Sequence, residues 1–155
     1  MTQPVHFSVD HHPGLAATQW WKSSEATPRY NCVAFAAGFQ DRFISPVLYD
    51  EMLGLYPWPE GVPREYSVSG YAAAMETFGY TRCADATLEE GVEKIAIYGR
   101  DGTAEHIARQ LTSGMWTSKM GQWEDIEHEL EGLAGGKYGE ILLLMQRPCN
   151  PAPGE

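Results

Sequence analysis

The chain has 155 residues, of which 43% are hydrophobic and 21% are charged, a composition typical of a single globular domain. Its 21 acidic residues outnumber 11 basic ones, and the resulting formal net charge of −10 argues against binding to nucleic acid or to anionic membranes. The three cysteines are widely spaced and match neither a disulfide framework nor a zinc motif. Reduced thiols of this kind are typical of a cytoplasmic protein.

The chain begins without a basic segment followed by an apolar one, so the sequence predicts no signal peptide, although a dedicated secretion system would need none. No apolar run reaches the length of a membrane span. We expect one domain over residues 1–155, with an irregular segment over 1–28 and a tail over 148–155. No residue spacing predicts a metal site or a cofactor.

Helical patterns occupy the first half of the chain. Residues 31–39 form a short apolar run that predicts a buried helix, with Asn31 as its N-cap. Residues 46–55 are compatible with a second short helix, and the prolines of 56–63 predict an irregular connection. Apolar residues recur at helical spacing over 67–79, where Gly79 is a natural helix end.

Strand patterns dominate the second half. Helices that precede an antiparallel meander predict an α+β fold in which the N-terminal helices pack on the sheet. The predicted strands cover 93–98, 104–111, 115–120 and 139–147, with turns at 100–102 and 112–114 and a short helix over 124–133.

Cys32 and His106 are the first candidates for chemistry. Cys32 opens the predicted helix over 31–39, where free backbone N–H groups favour a thiolate. His106 opens an apolar strand much later in the chain. A thiol nucleophile needs a base, and a cysteine at a helix start with a histidine on a following strand is the papain-like arrangement. The alternative is that Cys32 is a structural core residue.

The third catalytic position follows from the strand register. A turn centred on Ser113 pairs residue 110 with 116 and residue 106 with 120, which places His106 and Ser118 on the same face. Ser118 is therefore the candidate orienting group. A one-residue slip would promote Thr117 or Lys119 instead, and Asp125 is a more distant carboxylate alternative.

Other residues would complete such a site. The backbone N–H of Cys32 is a natural oxyanion donor, and Asn31 or Gln19 could add a side-chain donor. Trp58 and Trp116 are candidates for the rim of a peptide-binding cleft.

Five blocks of the sequence together resemble an uncharacterised family of small bacterial proteins, a domain of unknown function. At the level of architecture the chain is also similar to papain-like cell-wall amidases of the NlpC and CHAP groups. That similarity implies a cysteine at a helix start and a histidine on a strand. The family blocks are YNCVAFAAG (30–38), EKIAIY (93–98), HIARQL (106–111), WTSKMG (116–121) and DIEH (125–128).

The leading hypothesis is a papain-like cysteine hydrolase that cleaves an amide, peptide or isopeptide bond in a peptide or protein substrate. Cys32 attacks the carbonyl, and His106 carries the proton to the leaving amine. One alternative is a non-catalytic interaction protein, of the immunity or inhibitor type, whose acidic surface engages a basic protein. Another is a metal-dependent hydrolase that uses His106 and His128.

Overall fold

Seven strands form one antiparallel sheet in the computed structural model, which describes residues 4–42, 44–46 and 58–149. Their order across the sheet is β1-β6-β5-β4-β3-β7-β2. With two α-helices beside this sheet, the α+β prediction is confirmed, and the described part of the chain is mostly sheet. The strands are β1 (Trp20–Ser24), β2 (Thr81–Arg82), β3 (Val92–Arg100), β4 (Thr103–Gln110), β5 (Trp116–Lys119), β6 (Asp125–His128) and β7 (Glu140–Pro148).

Both α-helices begin at a capping side chain. Helix α1 is Cys32–Ala37, and the Asn31 side chain accepts a hydrogen bond from the Ala34 N–H. Gly38 ends α1 with a φ of 103°, a left-handed conformation that favours glycine. Helix α2 is Val68–Glu76 and is capped in the same way by Ser67. The predicted helix over 46–55 lies, except for its first residue, outside the described residues.

Two predictions about local structure were wrong. The segment predicted as a helix over 124–133 contains strand β6 and then a short 3₁₀ helix, Leu130–Leu133. The segment predicted as irregular over 1–28 contributes β1, together with the 3₁₀ helices Val9–His11 and Pro13–Ala16. Strand β6 pairs with β5 on one side and β1 on the other, and this pairing outweighs a weak local preference for helix.

The predicted turns and register agree with the structure. Asp101 and Gly102, with φ values of 53° and 80°, make the tight turn between β3 and β4. Strands β4 and β5 pair Arg109 with Thr117 and Gln110 with Trp116, as the turn centred on Ser113 requires. Side chains of β4 and β5 therefore alternate between the two faces as predicted.

The sheet has an apolar cluster on each face. On the face that we call the helical face, Ile95, Ile97 and Ile107 share one cluster with buried residues of α1 and α2. On the opposite face, which we call the N-terminal face, Ala96, Tyr98 and Ala108 share a second cluster that includes Phe7 and Leu15 of the N-terminal segment. Among the described residues, no helix is long and apolar enough to cross a membrane.

Candidate functional site

Cys32 is the first residue of α1 and packs against the cluster on the helical face. Burial raises the pKa of its thiol, and the N–H groups of Ile107, Val33 and Cys32 itself act in the opposite direction, as does the charge of Lys119. At rest, Cys32 is therefore a protonated, half-buried thiol held against strand β4.

Asn31 is committed to backbone contacts. Its Oδ1 accepts hydrogen bonds from the N–H groups of Ala34 and Ile44, both at 3.1 Å, and its Nδ2 donates to the Ile44 carbonyl at 2.8 Å. The side chain therefore caps α1 and holds the chain at Ile44. It has a structural role at the position where the sequence suggested an oxyanion donor.

The structure does not bring Cys32 and His106 together. Because side chains alternate along β4, Ile107 faces α1 and His106 faces the other way. The His106 ring stacks on Tyr138 with a centroid separation of 4.2 Å and lies 5.7 Å from the Tyr98 ring on the N-terminal face. Burial holds the pKa of His106 well below its usual value, and its Nε2 has no hydrogen-bond partner.

Ser118 partners His128 rather than His106. The distance between the Ser118 Oγ and the His128 Nε2 is 2.8 Å, and the His128 Nδ1 lies 2.8 Å from the Glu129 carbonyl oxygen. Because a carbonyl can only accept, Nδ1 carries the proton and Nε2 accepts from the Ser118 hydroxyl. The predicted orienting group thus donates to a different buried histidine, whose tautomer the Glu129 carbonyl fixes.

The remaining predicted site residues lie apart from Cys32 and from each other. Gln19 pairs through its backbone with Glu129, at the end of β6 away from Asp125. Trp58 is buried and packs on Tyr71 of α2, at a centroid separation of 5.8 Å. Trp116 is buried in the cluster on the N-terminal face. The two tryptophans line separate cavities and do not form the rim of one cleft.

Two charged groups that the sequence offered only as alternatives to Ser118 lie on the side of Cys32. Lys119 is fully buried, its Nζ donates to the Trp123 carbonyl, and it lies 5.2 Å from the centroid of the Tyr30 ring. Asp125 is 2% exposed. Its Oδ2 accepts from the Tyr30 hydroxyl at 2.5 Å and from the Ser24 hydroxyl at 2.6 Å, whereas its Oδ1 has no partner.

We call Tyr30, Cys32, Lys119 and Asp125 the thiol cluster. Burial lowers the pKa of Lys119, while the charges of Asp125, Glu124 and Cys32 act in the opposite direction. A buried lysine with a lowered pKa gives up its proton more readily than an exposed one. The predicted register already placed Lys119 on the same face as Ile107. Knowing which face of β4 packs on α1 would therefore have identified Lys119.

Within the described part of the chain, no group of three His, Cys, Asp or Glu side chains is arranged to hold a metal ion. The fold and the thiol cluster together define an α+β protein with a buried cysteine at a helix start and a buried lysine–aspartate arrangement beside it. The chain belongs to a family described as a domain of unknown function (DUF7689), whose model matches residues 21–146. No curated protein and no solved structure matches it.

Proposed function

We propose that this protein is a cysteine hydrolase of amide bonds, papain-like in having its nucleophile at the start of a helix beside an antiparallel sheet. In this proposal Cys32 is the nucleophile and Lys119 replaces His106 as the base. The observation that carries it is Cys32 at the start of α1, on the face of the sheet where a fully buried lysine and a buried aspartate also lie. Perturbed titratable groups gathered in this way are typical of functional sites.

The chemistry needs only groups of the thiol cluster and water. The neutral amine of Lys119 accepts the proton of the Cys32 thiol, and the thiolate attacks the carbonyl carbon of the substrate. A backbone N–H at the start of α1 stabilises the oxyanion. The C–N bond breaks as Lys119 returns the proton to the leaving amine. Water then attacks the thioester, Lys119 accepts a proton from it, and the thiol is restored when the C–S bond breaks.

Asp125 has a supporting part in this scheme. Its negative charge stabilises the ammonium form of Lys119 that exists after proton transfer, which is why it acts to raise the pKa of that lysine. The Tyr30 and Ser24 hydroxyls hold one of its oxygens in place, and the other oxygen remains without a partner. The substrate class that we propose is a peptide or protein amide, as the sequence suggested.

A second candidate function is that of a non-catalytic interaction protein with a basic protein partner. The observation that favours it is the raised pKa of the Cys32 thiol, since burial outweighs the groups that would promote a thiolate. In this case Cys32 is a core residue of α1, and the net charge of −10 supplies the complementarity to the partner.

Iodoacetamide labelling separates the two functions. The rate at each cysteine is measured against pH in native protein, site by site by mass spectrometry, with Cys83 and Cys149 as internal references. A hydrolase site predicts faster labelling at Cys32, and Lys119→Met should slow it by about tenfold because the proton acceptor is lost. His106→Asn is the matched control and should leave the Cys32 profile unchanged.

Two results would contradict the hydrolase proposal. The first is a Cys32 thiol that reacts only when the protein unfolds, which favours the interaction protein. The second is that Cys32 labels faster than the reference cysteines, but His106→Asn abolishes this difference in rate and Lys119→Met preserves it. Circular dichroism of each variant confirms that it is folded before its rates are compared.

A further inference from the structure

A polar cavity lies on the N-terminal face, on the side of the sheet opposite Cys32. Its volume is about 230 Å³, and it is enclosed by the N-terminal segment, the loop between β5 and β6, and the turn before β7. The lining residues that matter for its chemistry are His6, His11, His12, Trp123, Lys137 and Tyr138.

His12 gives this cavity an unsatisfied hydrogen-bonding group. Only 3% of the residue is exposed, and its ring lies 4.7 Å from the Tyr138 ring and 6.1 Å from the Phe7 ring. The buried Nδ1 of His12 has no hydrogen-bond partner. Buried polar atoms in native proteins nearly always have a partner, so an unpaired ring nitrogen beside a cavity indicates that a ligand supplies one.

Lys137 lines the cavity, and its backbone N–H donates to the His11 carbonyl at 2.8 Å, which places it beside the N-terminal segment. Burial, together with the charges of His11 and Lys137, lowers the pKa of His12 to about 4. Glu124 is the nearby carboxylate, and it is already bound by His6 through its Nδ1 at 2.6 Å and its backbone N–H at 2.9 Å. In a chain with a net charge of −10, this cavity is lined by one lysine and three histidines.

We propose that this cavity binds a small oxyanion, a carboxylate or a phosphate group. The anion pairs with the Lys137 ammonium and accepts a hydrogen bond from the ring of His12, whose buried Nδ1 has no partner within the protein. Trp123 and His6, whose rings stack at 6.0 Å, flank the opening. The proposal concerns the N-terminal face and does not depend on the thiol cluster.

Nuclear magnetic resonance tests this proposal with the anions themselves. Sodium phosphate and sodium acetate are titrated separately at constant ionic strength, and the shifts of the His12 imidazole and the Trp123 indole N–H are followed. We expect a saturable shift with at least one anion and a Kd on the order of 1 mM. Saturation with phosphate alone assigns a phosphate site, and saturation with acetate assigns a carboxylate site.

Variants show whether the shift reports this cavity. Lys137→Gln, at an exposed position, should weaken binding by about tenfold because a charge-assisted contact is lost, and His12→Phe should do the same. Arg82→Gln removes one positive charge from the far edge of the sheet, on β2, and should change the Kd by less than about twofold. The proposal is overturned if neither anion gives a saturable shift, or if Lys137→Gln binds as tightly as the unmodified protein.

Discussion

Acid should destabilise this protein through His128. The side chain is completely buried, and burial lowers its pKa from 6.5 to about 4, although the Glu129 carbonyl acts in the opposite direction. In the unfolded chain the imidazole takes up a proton as the pH falls below 6.5, whereas in the folded protein it stays neutral down to about 4. The neutral His128 therefore makes its full contribution to the free energy of unfolding above pH 6.5, and this contribution is lost as the pH falls toward 4.

The size of this effect follows from the two pKa values. Between about pH 7 and about pH 5 the unfolded imidazole becomes almost fully protonated and the folded one does not, which removes about 2 kcal/mol from the free energy of unfolding. Urea denaturation followed by tryptophan fluorescence at several pH values measures this loss. The variant His128→Gln lacks the titrating group and should lose about 2 kcal/mol less over the same interval.

Ser118→Ala is the matched control for this experiment. It keeps the imidazole and its burial but removes the hydroxyl that donates to Nε2, so stability should fall by about 1 kcal/mol at every pH with an unchanged pH dependence. The reasoning is refuted if His128→Gln retains the full pH dependence of the unmodified protein. It is also refuted if Ser118→Ala removes that dependence, because the hydroxyl rather than burial would then hold the pKa down.

Two further substitutions test the packing around the sheet. Tyr30→Phe removes a hydroxyl that donates to the buried Asp125 carboxylate, and we expect the free energy of unfolding to fall by about 1.5–3 kcal/mol, measured by urea denaturation. A loss below about 0.5 kcal/mol would mean that this hydrogen bond is not stabilising. Gly99→Ala would place a Cβ atom 1.9 Å from the Thr103 carbonyl oxygen, so about 1–3 kcal/mol should be lost and the Tm should fall. An unchanged Tm would contradict the close approach of β3 and β4 at this point.

Local signals in the sequence identified much of the fold. The cap at Asn31, the Asp101-Gly102 turn and the pairing of Gln110 with Trp116 were all predictable, because each depends on residues close together in the chain. Strand β6 was not predictable in this way. Its Asp125 and His128 are polar residues in buried positions. Their burial depends on pairing with β1, which is distant in sequence, and with β5, which faces them only in the folded chain.

The side of the sheet to which His106 points could not be predicted. Strand β4 is buried on both faces, with Ile107 in one apolar cluster and Ala108 in the other, so its hydrophobic pattern does not distinguish them. The register correctly grouped His106 with Ser118, but nothing local determines which group faces α1. The papain-like prediction therefore paired Cys32 with a histidine that lies on the opposite face of the sheet.

The division of β4 also makes the two proposals independent. The strand presents the Ile107 side chain to the cluster on the helical face and the His106 ring to Tyr138 on the N-terminal face. The two sites meet at the loop before β6, where Trp123 accepts from the Lys119 Nζ and also lines the cavity, so Cys32 and Lys137 are the positions whose substitutions act on different ligands through different contacts. Loss of thiol reactivity would leave anion binding intact, and a protein that fails to bind oxyanions could still be a cysteine hydrolase.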